Sequence, residues 1–236
     1  TRPPASEPLH RKPRPVLRRV LAVFSVVCAL AWAPLWAEAD GLPELHTDIA
    51  AQFPAVGRLG AEGFEKQGCS ATLIAPHLVV TAAHCLSKSA PKGQVFAADW
   101  ADGTYRALAR VKHHMRHPEY AANDTHSPHN DVGLVVLESP LSEVPPLPLG
   151  QRETGALDGA EPALVGFNIA HPTRLSGQLD CPAINLAVGQ LYLGCPVIHG
   201  NSGSPVLVQD DTGAWQVEAI ISSRIGPGAI AVYLPD

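Results

Sequence analysis

Proline and glycine interrupt this chain so often that long helices have little room. Twenty-three prolines and twenty glycines punctuate 236 residues. Proline removes a main-chain donor and glycine favours turns. The apolar segments left between them are short and rich in Val, Ile and Leu. Short segments of that kind, bounded by turn residues, read as strands, so an all-β chain is expected. With 46% hydrophobic and 17% charged residues, it can bury a sizeable core in one large or two small domains.

Two sets of six strands are expected. The first lies at 55–59, 69–73, 78–81, 94–98, 105–111 and 132–137, after an extended arm at 40–54. The second lies at 163–167, 175–179, 190–193, 204–208, 215–222 and 229–233. Pro145, Pro146 and Pro148 fall between the sets. They disfavour helix and suggest an extended linker. The expected domains are therefore 40–140 and 156–236, joined by a linker at 141–155.

Residues 1–39 read as a signal peptide. Arg11, Lys12, Arg14, Arg18 and Arg19 precede a largely apolar stretch from Val20 to Trp36, and Ala37-Glu38-Ala39 gives an A-x-A cleavage site. An uncleaved anchor is the alternative, but Pro34 interrupts a stretch already marginal for a span. The expectation is a secreted or periplasmic protein, with no stable membrane association after cleavage. The segment holds 6 of the 17 basic and 2 of the 22 acidic residues, leaving 11 against 20 and a net charge of −9. An acidic domain without a basic stripe argues against nucleic-acid binding.

Four cysteines remain beyond the signal: Cys69, Cys85, Cys181 and Cys195. They allow three connectivities. The two local pairings, Cys69–Cys85 and Cys181–Cys195, are expected. A four-cysteine metal site is the competing reading, but the spacings are not C-x2-C. His113, His114 and His117 form a second candidate metal cluster. They lack an obvious carboxylate or cysteine partner and read as a solvated strand end. No metal and no cofactor are expected.

Two short segments point to chemistry. Thr81-Ala82-Ala83-His84-Cys85 delivers a histidine from the end of an apolar strand. Gly200-Asn201-Ser202-Gly203-Ser204-Pro205 places a serine in a glycine-rich turn. Between them, Asp131 opens the apolar run 132–137. A serine hydroxyl needs a base to act as nucleophile, and the base needs an orienting partner. Imidazole, titrating near pH 6.5, suits the base, and a buried carboxylate suits the orienter. Asp124 rivals Asp131, but only Asp131 directly precedes the apolar run. An α/β-hydrolase would need G-x-S-x-G and the order Ser, Asp, His. Position 204 is Ser and the order here is His, Asp, Ser.

That order, in those contexts, resembles the chymotrypsin-like (trypsin-like) serine peptidases, over roughly residues 50–233. The resemblance implies two six-stranded antiparallel β-barrels with the active site in the cleft between them. It implies His84 as general base, Asp131 as its orienter and Ser202 as nucleophile, with the amides of Gly200 and Ser202 as the oxyanion hole. The expected function is a secreted serine endopeptidase acting on proteins or peptides as a monomer. A catalytically inactive peptidase-fold binding protein is the alternative.

The chain departs from the animal digestive enzymes of that family. These carry Asp before the nucleophile, paired with an N-terminus such as Ile-Val-Gly-Gly. Here Asn201 stands there and no Ile-Val-Gly-Gly occurs. Asn cannot form that ion pair, so competence without such activation is expected. Gly-Asn-Ser-Gly-Ser-Pro looks more like the bacterial and glutamyl-endopeptidase-like branches. Trypsin's pocket aspartate lies six residues before the nucleophile, where this chain has Pro196. Preference for Arg or Lys is thus unsupported. Ser222 is expected near the triad, on a substrate-pairing strand edge. Arg224 or His199 offers a contact for an acidic P1 side chain, although Arg224 can equally face solvent.

Overall fold

The computed structural model describes residues 41–64, 68–87, 91–121, 130–150, 157–187 and 189–234. The expected signal peptide (1–39) and Asp124 lie outside them. After a one-turn helix, α1 (Thr47–Ala50), the described elements are almost all strands. In chain order these are β1 (Val56–Ala61), β2 (Cys69–Ala75), β3 (Leu78–Thr81), β4 (Gln94–Ala98), β5 (Ala107–Arg116) and β6 (Gly133–Leu137). There follow β7 (Ala163–Gly166), β8 (Ser176–Gln178), β9 (Ala183–Ala187), β10 (Gln190–Leu193), β11 (Pro205–Gln209), β12 (Trp215–Ile225) and β13 (Gly228–Tyr233).

The first six close into an antiparallel barrel in the order β1-β2-β3-β6-β5-β4. β6 shows why. Gly133, Val135 and Leu137 are buried while Leu134 and Val136 are only partly so, the period of a strand with one face inward. Closure leaves no edge to protect. β5 runs longer than its sequence pattern suggests. It bulges between Val111 and His113 and carries the exposed His113 and half-buried His114 to Arg116.

The last seven form one sheet, β8-β7-β11-β12-β13-β10-β9. Its central strands are buried on both faces. One face, with Val165, Leu207, Val217, Ile220 and Val232, joins the barrel core around Phe53, Leu73 and Phe96. The other, with Leu164, Val206, Ile221, Ala231 and Tyr233, packs on Leu157, Leu191 and Leu193. Burial on two sides explains the continuous apolar runs of β7 and β13. Each large aliphatic side chain so buried contributes about 1.5–3 kcal/mol. The architecture is the chymotrypsin-like double barrel, its second half having β9 as a seventh strand. β9 escapes the sequence pattern because Ile184 and Leu186 on this edge strand are about half exposed (54% and 51%), pointing apolar side chains outward.

The segment after β6 crosses from barrel to sheet in extended form. Leu141 N donates to Pro76 O and Leu147 N to Leu73 O on the barrel side. Val217 N donates to Pro148 O and Gly150 N to Val217 O on the sheet side. Cys69–Cys85 and Cys181–Cys195 are both bonded. Each closes a loop worth about 3 kcal/mol in chain entropy.

Candidate active site

His84 sits in a single 3-10 turn, Ala83–Cys85, at the end of β3. The Cys85–Cys69 bridge ties that turn to the start of β2. Asp131 lies just before β6, the strand beside β3, and is buried with 3% exposure. Adjacent strands thus deliver the two residues side by side. Asp131 Oδ1 accepts the His84 main-chain N–H at 2.8 Å, and His84 Nδ1 lies 2.7 Å from Asp131 Oδ2. A carboxylate only accepts, so Nδ1 carries a proton, and in the neutral imidazole Nε2 then keeps its lone pair. The imidazole is partly open to solvent while its partner is not.

A third donor reaches Asp131 from the other half of the molecule. Ser222 Oγ donates to Oδ2 at 2.6 Å. The register explains how. Ile221 pairs with Ala231 and Ser223 with Ile230, so Ser222 is the extra residue of a bulge in β12. Bulges re-aim side chains, and this one turns a serine toward the barrel.

Ser202 lies in the turn before β11, and glycines shape that turn. Gly200 (φ 99°) and Gly203 (φ 78°) occupy the left-handed region. A Cβ on Gly203 would stand 2.2 Å from Thr81 Oγ1 and 2.3 Å from Ser70 O. The turn therefore presses against the strand end that leads into His84. Gly203 N donates to Ile221 O, beside the bulged Ser222. Among the described residues Ser202 Oγ makes no hydrogen bond, to His84 or otherwise. Such contacts are commonly loose before substrate binds. The amides of Gly200 and Ser202 likewise find no acceptor among the described residues, although their neighbours are bonded.

The family model described as Trypsin matches residues 46–186, more than half of the chain. The chain belongs to the trypsin family. No curated protein matches it. The match to this family of chymotrypsin-like serine peptidases takes in His84 and Asp131 and ends before Ser202. Its fold is one for protein or peptide substrates, and its two disulfides are those of an oxidising compartment. Among the described residues no helix is long and apolar enough to cross a membrane.

Pro196 is half-buried after Cys195, and His199 and Arg224 are exposed. No ion pair engages Arg224 among the described residues. Cys69, His84 and Cys85 bring ligand-type atoms within 4.8 Å, but the cysteines share a disulfide and offer no thiolate. His114 Nε2 lies 2.9 Å from Ser87 O, and His117 Nδ1 accepts from Glu119 N. Tyr120 gave no sequence signal. Burial first, and then the negative charge of Asp131, push its phenol above the ordinary value, against the opposing effect of Arg116.

Proposed function

We propose that this trypsin-family chain is an exported serine endopeptidase working through Ser202, His84 and Asp131. The observation that carries this reading is the doubly bonded His84–Asp131 pair beside the glycine-shaped Ser202 turn. Ser202 Oγ attacks the scissile carbonyl carbon and passes its proton to His84 Nε2, while the carbonyl electron pair moves onto oxygen. The N–H groups of Gly200 and Ser202 receive that oxyanion. The intermediate collapses, the C–N bond breaks, and His84 gives its proton to the leaving amine. Water then loses a proton to His84 and attacks the acyl-enzyme. Departure of Ser202 Oγ, which takes the proton back, restores the site. None of these steps uses a cofactor.

Beyond Ile220, β12 has β13 on one side and no strand on the other among the described residues. That open edge, from Ser222 to Arg224, supports main-chain pairing with an extended substrate. Asn201 supports competence without a freed N-terminus. It is fully buried, its Oδ1 accepts from Ile198 N and its Nδ2 donates to Phe167 O, so its bonding needs no ammonium partner.

Fluorophosphonate labelling of the purified protein tests the reading, with Ser202→Ala beside it and the adduct mapped by peptide mass. The expected result is labelling at Ser202 that disappears in the variant. A folded, disulfide-bonded protein that resists the probe overturns it in favour of an inactive binding protein.

A further inference from the structure

Ser70 follows Cys69 in β2 and is completely buried. Its main chain and side chain both reach across to the Ser202 turn. Ser70 N donates to Gly200 O at 3.2 Å and to Ser202 O at 2.9 Å. Ser70 Oγ donates to the same Gly200 O at 3.0 Å and accepts from Phe167 N at 2.8 Å. A longer contact from Oγ to Phe167 O, 3.4 Å, competes weakly. Ser70 O in turn accepts from Thr81 Oγ1 at 2.8 Å. One serine therefore links the strand that leads into His84 with the turn that presents Ser202.

The carbonyls around the two free amides are all held. Ile169 N donates to His199 O, Ser70 to Gly200 O and Ser202 O, and Ser204 N to Asn201 O. In a planar trans peptide the N–H points opposite to the C=O. Fixing His199 O thus aims the Gly200 N–H, and fixing Asn201 O aims the Ser202 N–H. The Gly200–Asn201 peptide joins those two, and it begins at Gly200, a residue without a Cβ at φ 99°. A Cβ there would lie 2.9 Å from Asn168 Cα, so the close approach demands glycine and leaves the freest backbone at this point. Ser70 grips that residue's carbonyl with two donors.

We infer that Ser70 is a positioning residue for the oxyanion site. Its hydroxyl locks the Gly200–Asn201 peptide so that the N–H groups of Gly200 and Ser202 stay aimed at one oxygen. This rests on the proposed peptidase reading, and it gives the first barrel a direct part in shaping a site carried by the second sheet. Ser70 touches no substrate and acts through Gly200.

The test compares the protein with Ser70→Ala on a chromogenic peptide, with rates counted per fluorophosphonate-titrated site. If the unaltered, folded protein does not react with the probe, the peptidase reading has failed before any variant is made. Where it does react, Ser70→Ala is expected to lower kcat about tenfold or more. KM should stay within about threefold, and the pH midpoint of kcat/KM should not move. A loss below tenfold overturns the inference. So does a loss confined to KM, or a moved pH midpoint, which would place the action at His84. Should Ser70→Ala fail to fold, Ser70→Gly, which also lacks the hydroxyl, is read by the same criteria. If neither folds, Ser70 is a structural residue and the positioning role falls.

Discussion

The His84–Asp131 side of the site and the Ser202 side are held by different kinds of bond. His84 and Asp131 come from neighbouring strands of a closed barrel and are joined through the Asp131 carboxylate, with Ser222 as a third donor. The Ser202 turn is held by carbonyls, amides and two glycines in the left-handed region, with the side chains of Ser70 and Asn201 as clamps. A region built on one carboxylate fails when its acceptors are removed. A region built on backbone fails when an atom is added. The first is therefore most sensitive to subtraction and the second, its side-chain clamps apart, to added volume.

Three substitutions sharpen that contrast. The largest effect is expected from Asp131→Asn, which preserves shape but replaces an acceptor with an amide. The imidazole then loses its correct tautomer, and kcat should fall about 10⁴-fold with little change in melting temperature. Steady-state kinetics beside a thermal scan checks this; a loss under about 100-fold would remove Asp131 from its role. Gly203→Ala attacks the other side. The added methyl meets Thr81 Oγ1 and Ser70 O, and the positive φ penalises any Cβ. Calorimetry should show a melting temperature lower by at least about 5 °C. Activity should drop about 100-fold through misplacement of Ser202. An unchanged melting curve would show that the turn relaxes more readily than its packing implies. Ser222→Ala is the mildest. It removes one of three donors to Asp131, and a hydrogen bond to a charged group is worth about 1.5–3 kcal/mol. A roughly tenfold fall in kcat is expected, since 1.4 kcal/mol is a factor of ten. A kcat equal to that of the unaltered protein would mean that two bonds suffice to orient His84.

The contrast also marks what the sequence could carry. Short apolar segments bounded by Pro and Gly made the all-β architecture legible, and the short segments around His84, Asp131 and Ser202 marked the candidate site. These are local signals. β9 was hidden because its apolar side chains point outward, against the rule that such patterns are read by. The strand containing His113 and His114 runs past the expected end at 111, and its register shifts between Val111 and His113. Ser70 was hidden for another reason. A lone serine in a strand has no signature, and its partners Phe167 and Gly200 lie 97 and 130 residues away. The bond from Ser222 to Asp131 spans 91 residues, so its direction could not be read from the neighbours of either. The expected extended arm likewise contains the short helix Thr47–Ala50, a single turn with no buried residue to announce it.

The bulge at Ser222 has one more consequence. Ile221 sends its carbonyl to Gly203 and the next residue sends its hydroxyl to Asp131, so two consecutive positions serve opposite sides of the cleft. Both assignments depend on counting: one residue more or fewer in this stretch would turn each side chain to the other face. A substitution in β12 alters one side chain, but an insertion or deletion there displaces the contacts to Gly203 and to Asp131 together.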